Sequence, residues 1–343
     1  MTGLLRAWGP ACGSALLRAR PEDFRVQEVL GYDPDGDGEH LWLDIEKRGL
    51  NTLDVAGHLA RCAGVRPSAV GFGGLKDRNA VTVQAFSVHL PGRPEPDWQA
   101  WQTEAIRILG VTRHSRKIRR GRLAGNRFVL TIREFCGDRD ALEQRLQCIA
   151  AQGVPNRFGE QRFGGNNVAR AYQMFRGELR RPPSRARRGF YLSAARALLF
   201  NRVLEQRIRM ASWNVVIDGD VLNLDGSRSR FPVDRDPTLT ERVRMLDLHP
   251  TGPLFGAGDL ETTGAARRLE ESVIGEHREL ADGLLRFGTA MDRRPLRMKV
   301  SDLAWEWLAD DLLRIEFALP PGGFATTVLS EAIDYRDANR DAS

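Results

Sequence analysis

The chain has 343 residues, 42% of them hydrophobic, enough to bury a core in each of two domains. Lysine and arginine number 51 against 45 acids, a net charge of +6. Arginine supplies most of it, and its planar guanidinium suits phosphate and stacks on bases, so the balance leans toward a nucleic-acid partner. The four cysteines (Cys12, Cys62, Cys136, Cys148) form no C-x-x-C pair, and the six histidines are scattered, which argues against a disulfide framework or a zinc site. The first residues lack the pattern of a signal peptide, and no apolar run approaches the ~20 residues that span a bilayer. A cytoplasmic protein with no membrane contact is the expectation.

Residues 24–30 and 41–46 alternate apolar and polar side chains, with Leu41, Leu43 and Ile45 on one face, and both are predicted strands. The turn formers of 31–39 between them read as a hairpin tip. Asp33, Asp35, Asp37, Gly38 and Asp44 imitate a calcium loop there, but an EF-hand needs helical flanks and these are strands. Asn51 and Thr52 offer caps for a helix carrying Leu53, Val55, Leu59 and Ala63, stopped at Gly64. Strands follow over 69–72, 81–88, 106–109 and 128–132. Residues 138–152 make a helix with Leu142, Leu146 and Ile149 on one stripe and Gly153 closing it. This is an α+β arrangement.

Composition changes after residue 153. Residues 158–165 are rich in glycine and aromatics, and 176–188 are basic with prolines. Ser193 reads as the cap of a long helix reaching about Met210, and loops rich in Asp, Gly and Pro follow. Past Met298 alternation returns: Leu313, Ile315, Phe317 and Leu319 share a strand face, and a helix is expected from Phe324. A strand this far along can complete the first sheet, so the middle reads as an inserted domain.

Gly73-Gly74-Leu75-Lys76-Asp77-Arg78 sets one acid between two cations, after a glycine pair and between two predicted strands. A carboxylate so flanked is ionised at neutral pH and is a candidate nucleophile or base, with the glycines leaving room for a ligand. A charged surface turn explains the same residues. From Ala105 through Arg133 no acid interrupts Arg107, Arg113, Arg116, Lys117, Arg119, Arg120, Arg122, Arg127 and Arg133. Such a run is a solvated basic face or awaits a polyanion. Arg180, Arg181, Arg185, Arg187 and Arg188 form a second cluster in the inserted segment, and two patches on two domains suit a cleft that grips a phosphate backbone. No helix reads as a major-groove element, which favours RNA over duplex DNA. Asn126 and Phe128 offer an amide for a base edge and a ring for its face, or else a turn and a core residue. Asn156, Phe158, Gln161 and Arg162 combine amide, aromatic and guanidinium groups among glycines, the set that holds a base out of its stack.

Seven segments, in order and spacing over nearly the whole chain, resemble the pseudouridine synthase D family, whose members isomerise uridine 13 of tRNA. They are Leu17-Arg-Ala-Arg-Pro-Glu-Asp-Phe24, Gly36-Asp-Gly-Glu-His40, Gly74-Leu-Lys-Asp-Arg-Asn-Ala-Val-Thr82, Gly125-Asn-Arg-Phe128, Pro155-Asn-Arg-Phe-Gly-Glu-Gln-Arg-Phe-Gly164, Leu192-Ser-Ala-Ala-Arg196 and Pro321-Gly-Gly-Phe-Ala-Thr-Thr327. The resemblance implies an α+β pseudouridine synthase domain on a central mixed or antiparallel sheet, formed by 1–151 together with 299–343. It implies an inserted α/β TRUD domain over 152–298. Asp77 would be the catalytic aspartate, and Phe24, Asn126, Phe128 and Phe324 would line the pocket for a flipped uridine. Arg18 falls where a cation pairs with the aspartate, and Lys76 joins the substrate-binding candidates. The reaction needs no cofactor or metal. The implied partner is tRNA, with the protein a monomer lacking an obligate protein partner. The competing readings are an RNA-binding protein in which Asp77 only pairs with Arg18 or Lys76, and a nuclease, for which metal ligands and a histidine pair are missing.

Overall fold

The computed structural model describes residues 5–233 and 238–341, except for the side chains of 160, 161, 340 and 341. The chain divides into two units. One comprises Ala11–Ala150, Val300–Ala325 and the chain from Ala332 onward; the other comprises the chain up to Pro10, Ala151–Lys299 and Thr326–Glu331. Both short outlying pieces fall with the middle of the chain because they bond to it and to each other. The Arg6 Nε donates to the Ser330 carbonyl (2.6 Å), the Ala7 N–H to Glu331 (2.7 Å) and the Trp8 indole to the Gly153 carbonyl (3.2 Å). Such pairings leave no periodic trace in sequence.

The first unit is built on a mixed sheet. From edge to edge it runs Ser301–Ala309, Leu312–Leu319, Gly125–Gly137, Phe24–Val29, Val81–His89, His40–Arg48 and Ile106–His114. Gly13–Leu17 joins Gly125–Gly137 and runs parallel to Asp334–Asp337, while Val70–Phe72 pairs with Val81–His89. The α+β class is as expected, and the late strands do enter the early sheet. The hairpin is not there. Phe24–Val29 and His40–Arg48 never touch as strands, because Val81–His89 lies between them, parallel to the first and antiparallel to the second. Alternation identifies a strand but not its partner, and the 31–39 segment is a crossover rather than a tip. Its Asp35 is occupied by Ser115 and His114, whose Oγ and Nδ1 lie 2.5 and 2.9 Å from the carboxylate.

One row crosses five strands on a single face: Phe317, Phe128, Val26, Thr82 and Lys47 stand in direct register. All five are buried. Helix Thr52–Cys62 covers part of the same face through Val55 and Leu59, packed on Leu41, Leu43 and Ile45. Its cap is Asn51 with Asp54, a reciprocal capping box that satisfies first-turn N–H groups.

In the second unit, the long helix begins at Arg185, eight residues before Ser193, and runs to Arg209. Ser184 caps it by accepting from the Arg187 N–H, and the Ser193 hydroxyl instead accepts from Arg162 (3.1 Å). Pro182 and Pro183 stop any earlier start, and arginine is a good helix former, so the basic segment is helical. The region read as loops holds helices Gly264–Glu276 and Arg278–Arg286 and a small sheet. Leu248–Leu254 was hidden there by two prolines. It pairs over 248–250 with Val221–Leu224 and over 251–254 with Asp292–Pro295, so each proline has a ladder on one side only.

Candidate active site

Asp77 sits in the loop that joins Val70–Phe72 to Val81–His89, over the face carrying the buried row. Four buried groups hold that loop by its backbone or by the residue beside Asp77. The Lys47 ammonium donates to the carbonyls of Asp77 (2.9 Å) and Leu50 (2.7 Å). The Thr52 hydroxyl accepts from the Lys76 N–H (2.9 Å) and donates to Gln84 (2.9 Å), whose amide in turn donates to the Gly74 carbonyl (3.2 Å). Glu28 takes the Lys76 ammonium at 2.6 Å. Burial pushes the Glu28 carboxyl up from its ordinary value against the pull of Lys76. Burial likewise pushes the Lys47 ammonium down to about 8, with the Asp77 charge opposing. Backbone carbonyls that must be paired are thus paired from beneath.

The Asp77 carboxylate is left to face outward, with its side chain 36% exposed. Oδ1 accepts the Asn79 N–H (3.0 Å), and Oδ2 lies 3.2 Å from Arg18 Nη2. Arg18 is clamped in turn. Its other terminal nitrogen is 2.5 Å from Asp337 Oδ2, and its guanidinium stands 4.0 Å over the Phe24 ring. Asp337 reaches it because Asp334–Asp337 pairs with Gly13–Leu17 in parallel, Leu17 opposite Asp337. The Arg18 backbone has φ +57°, the left-handed region that a residue with a Cβ enters at a cost of about 1–3 kcal/mol. Strain, ion pair and ring together fix one guanidinium position.

Behind Arg18 lies an aromatic layer. Phe24 meets Phe128 edge to face at 6.2 Å, and Phe128 meets Phe317 at 5.5 Å. Phe24 is set by the turn before it: Asp23 accepts the Arg20 N–H and takes Arg133 in a fork. Two residues before Phe128 on the same face, the side-chain oxygen Oδ1 of Asn126 is buried and accepts no bond among the described residues. Phe324 is 40% exposed, just ahead of helix Ala325–Ala332.

The structure brings Arg18, Phe24, Asp77, Asn126, Phe128 and Phe324 onto one unit. Lys76 is there too, but its ammonium is buried on Glu28 (side chain 6% exposed) and does not face outward. The glycines also serve another end than room for a ligand. Neither Gly73 nor Gly74 has a positive φ, and a Cβ on either would press Glu28 at 3.0–3.3 Å. They let the loop lie close over the Glu28–Lys76 pair.

Asn156, Phe158 and Arg162 belong to the other unit, and internal contacts occupy them. The Asn156 amide donates to the Pro295 carbonyl (2.9 Å) and its oxygen accepts from Arg294 (2.6 Å). Arg162 and Arg294 both lie over the Phe158 ring, at 5.1 and 4.2 Å. The Gln161 side chain lies outside the described residues. Lys47, Glu28, Gln84 and Asp337 escaped notice in the sequence. Strand parity does flag two of them: Lys47 extends the buried series Leu41, Leu43, Ile45, and Glu28 the series Phe24, Val26.

Among the described residues no group of three or more His, Cys, Asp or Glu is placed to hold a metal ion, and no helix is long and apolar enough to cross a membrane.

The fold is that of a crystal structure from Methanosarcina mazei assigned as a tRNA pseudouridine synthase D (TruD). The TM-score is 0.76 at 20% identity, with 96% of each chain covered. A family model, tRNA pseudouridine synthase D (TruD), matches residues 9–180 and 167–332. The tRNA pseudouridine synthase D of Xanthomonas axonopodis pv. citri (strain 306) is 47% identical over 358 residues, covering 99% of this chain and 97% of that protein. That of Ectopseudomonas mendocina (strain ymp) is 49% identical over 337 residues, 98% and 96% of the two chains. The chain belongs to the tRNA pseudouridine synthase D family.

Proposed function

We propose that the protein isomerises uridine 13 of tRNA to pseudouridine, with Asp77 as the catalytic carboxylate. The observation that carries the reading is the geometry of Asp77: an outward carboxylate, fixed by Arg18 and the Asn79 N–H, on a loop anchored from beneath. In the isomerisation the N1–C1′ bond breaks, the uracil turns, the C5–C1′ bond forms, N1 gains a proton and C5 loses one. Asp77 serves as nucleophile at C1′ or C6, or as base at C2′. Arg18 keeps it aimed. Phe24, Phe128 and Phe324 supply apolar walls, which hold a ring without fixing one orientation while it turns. The unpaired side-chain oxygen of Asn126 matches the uracil N3–H, a donor that lies on the N3–C6 axis about which a half-turn exchanges N1 and C5, and so is met again after the turn.

Residues 152–298 are read as the inserted TRUD domain of the family, with the arginine-rich helix start toward the tRNA backbone. Incubating an unmodified tRNA transcript with the protein alone, followed by carbodiimide mapping, tests the reading. A new stop at uridine 13 is expected. Intact RNA and folded protein with no stop there would sink it, and a stop at another uridine would correct the position.

A further inference from the structure

A recess lies on the Asp77-bearing unit, between the crossover 31–39 and the basic segment 114–122. It encloses about 480 Å³, within the ~300–1,000 Å³ of ordinary ligand sites, and its wall includes Tyr32, His114, Arg116, Lys117, Arg119 and Arg122. Two features distinguish it from a plain solvated face.

The first is charge without counter-charge. Arg116, Arg119 and Arg122 have no carboxylate partner among the described residues, and Lys117 donates only to the Ser68 carbonyl (2.5 Å). The one acid on the wall, Asp35, is turned to the Ser115 N–H (3.0 Å) and Oγ (2.5 Å) and to His114 Nδ1 (2.9 Å). Those bonds hold its carboxyl down at about 2. It latches the crossover to the 114–115 backbone and leaves the arginines unneutralised. Elsewhere in the run cations are used structurally: Arg107 pairs with Glu46, Arg120 lies over Phe72 and Arg133 grips Asp23.

The second is an aromatic platform. Tyr32 is 38% exposed, yet its ring is propped by Trp42 at 5.9 Å (81° between planes) and by His114 at 5.9 Å. Trp42 and His114 also meet each other edge to face at 5.3 Å. A half-open ring with rigid supports presents a stacking face, which a bare anion would not require.

The recess is tied to the candidate active site through the backbone. The turn closed by the Arg122 N–H on the Arg119 carbonyl (3.2 Å) places the Gly121 N–H on the Gly73 carbonyl (2.8 Å), four residues before Asp77. We propose that this recess is a second nucleotide site, in which an unstacked base of the RNA substrate lies on Tyr32 while the adjoining phosphates are held by Arg116, Arg119 and Arg122. The proposal rests on the reading of RNA as substrate. It adds a point that holds the strand beside the nucleotide at Asp77.

The test is binding of a fluorescent tRNA transcript to Asp77→Asn protein, which removes turnover, across a salt series. Tyr32→Ala is expected to weaken binding about fivefold or more, and Tyr32→Phe to keep it, since a stacked base is worth that much and needs no hydroxyl. The double change Arg119→Ala/Arg122→Ala is expected to flatten the slope of log affinity against log salt by about 1.5. Arg139→Ala, a surface arginine outside the recess, controls for generic loss of charge, and thermal melts confirm folding. Unchanged affinity in Tyr32→Ala overturns the nucleotide assignment, whether or not the arginine variant responds. An unchanged salt slope overturns the phosphate contacts. Assaying the wild type for pseudouridine separates the two readings: conversion without these binding effects removes the recess alone, and these effects without conversion remove the isomerase reading alone.

Discussion

Residues 73–80 and residues 155–164 carry comparable mixtures of glycine, cations, amides and neighbouring aromatics, yet folding uses them in opposite ways. In the first, side chains from other elements satisfy the loop backbone: Lys47 bonds the Asp77 carbonyl, Gln84 that of Gly74, and Thr52 the Lys76 N–H. The Asp77 carboxylate is thereby free to face outward. In the second, Asn156 ties Arg294 to the Pro295 carbonyl, and Phe158 carries two guanidinium groups on its ring. There the side chains themselves are taken up, largely by Arg294 and Pro295 from another part of the chain. A buried polar atom must find a partner, and whether the rest of the fold takes up a segment's backbone or its side chains decides whether a motif can act on a ligand.

The comparison breaks most sharply at Asp77. Asp77→Asn is expected to lower single-turnover formation of pseudouridine by at least ~10³-fold with tRNA affinity largely kept, as for loss of a covalent or proton-transferring group. Residual conversion near the wild-type rate would move the chemistry elsewhere. Arg18→Ala comes next, at about 10–100-fold in the single-turnover rate, because it removes the cation that holds Asp77 Oδ2 and Asp337 Oδ2. Arg18→Lys should recover part of that, since one point charge still reaches Asp77. A rate unchanged in Arg18→Ala would show that the clamp does not aim the carboxylate.

The opposite region answers with stability. Asn156→Ala is expected to cost about 1–3 kcal/mol of unfolding free energy by stranding Arg294 and the Pro295 carbonyl, while the folded fraction keeps its affinity for tRNA. An affinity loss without a stability loss would return Asn156 to the binding surface.

The last effect is a pH dependence at Lys47. Its folded value of about 8 lies below the ordinary 10.5, so between those pH values the unfolded chain binds the proton more tightly and the contribution of this group to stability rises with pH. Below pH 8 the cost of burying the charge is fully present. Relative to Lys47→Met, the wild type should therefore gain of the order of 2–3 kcal/mol between pH 7.5 and 10.5, read by denaturant titration at each pH. A flat difference would mean that the ammonium is not held at a depressed value.

Alternation located Leu41, Leu43 and Ile45, and the helical stripe located Leu142, Leu146 and Ile149, because burial repeats with the period of the backbone. Failures followed where the deciding partner was distant. The 24–29 and 40–48 strands were read as a hairpin, but the strand between them arrives some forty residues later in the chain. The helix starting at Arg185 was concealed by its charge, and Leu248–Leu254 by its prolines.

The sequence by itself determined the strands and helices of strong period, the basic run, and the ordered motifs that single out Asp77, Arg18, Asn126 and the phenylalanines. Those are properties of residue type and spacing along one chain. Only the tertiary structure decided that Lys76 serves Glu28, that the glycines make way for that pair, that Asp337 completes the clamp on Arg18, and that Asn156 is spent on Arg294. Each of these is a choice among possible hydrogen-bond or ion-pair partners, and such choices are made by burial, after residues far apart in sequence have been brought within about 3 Å.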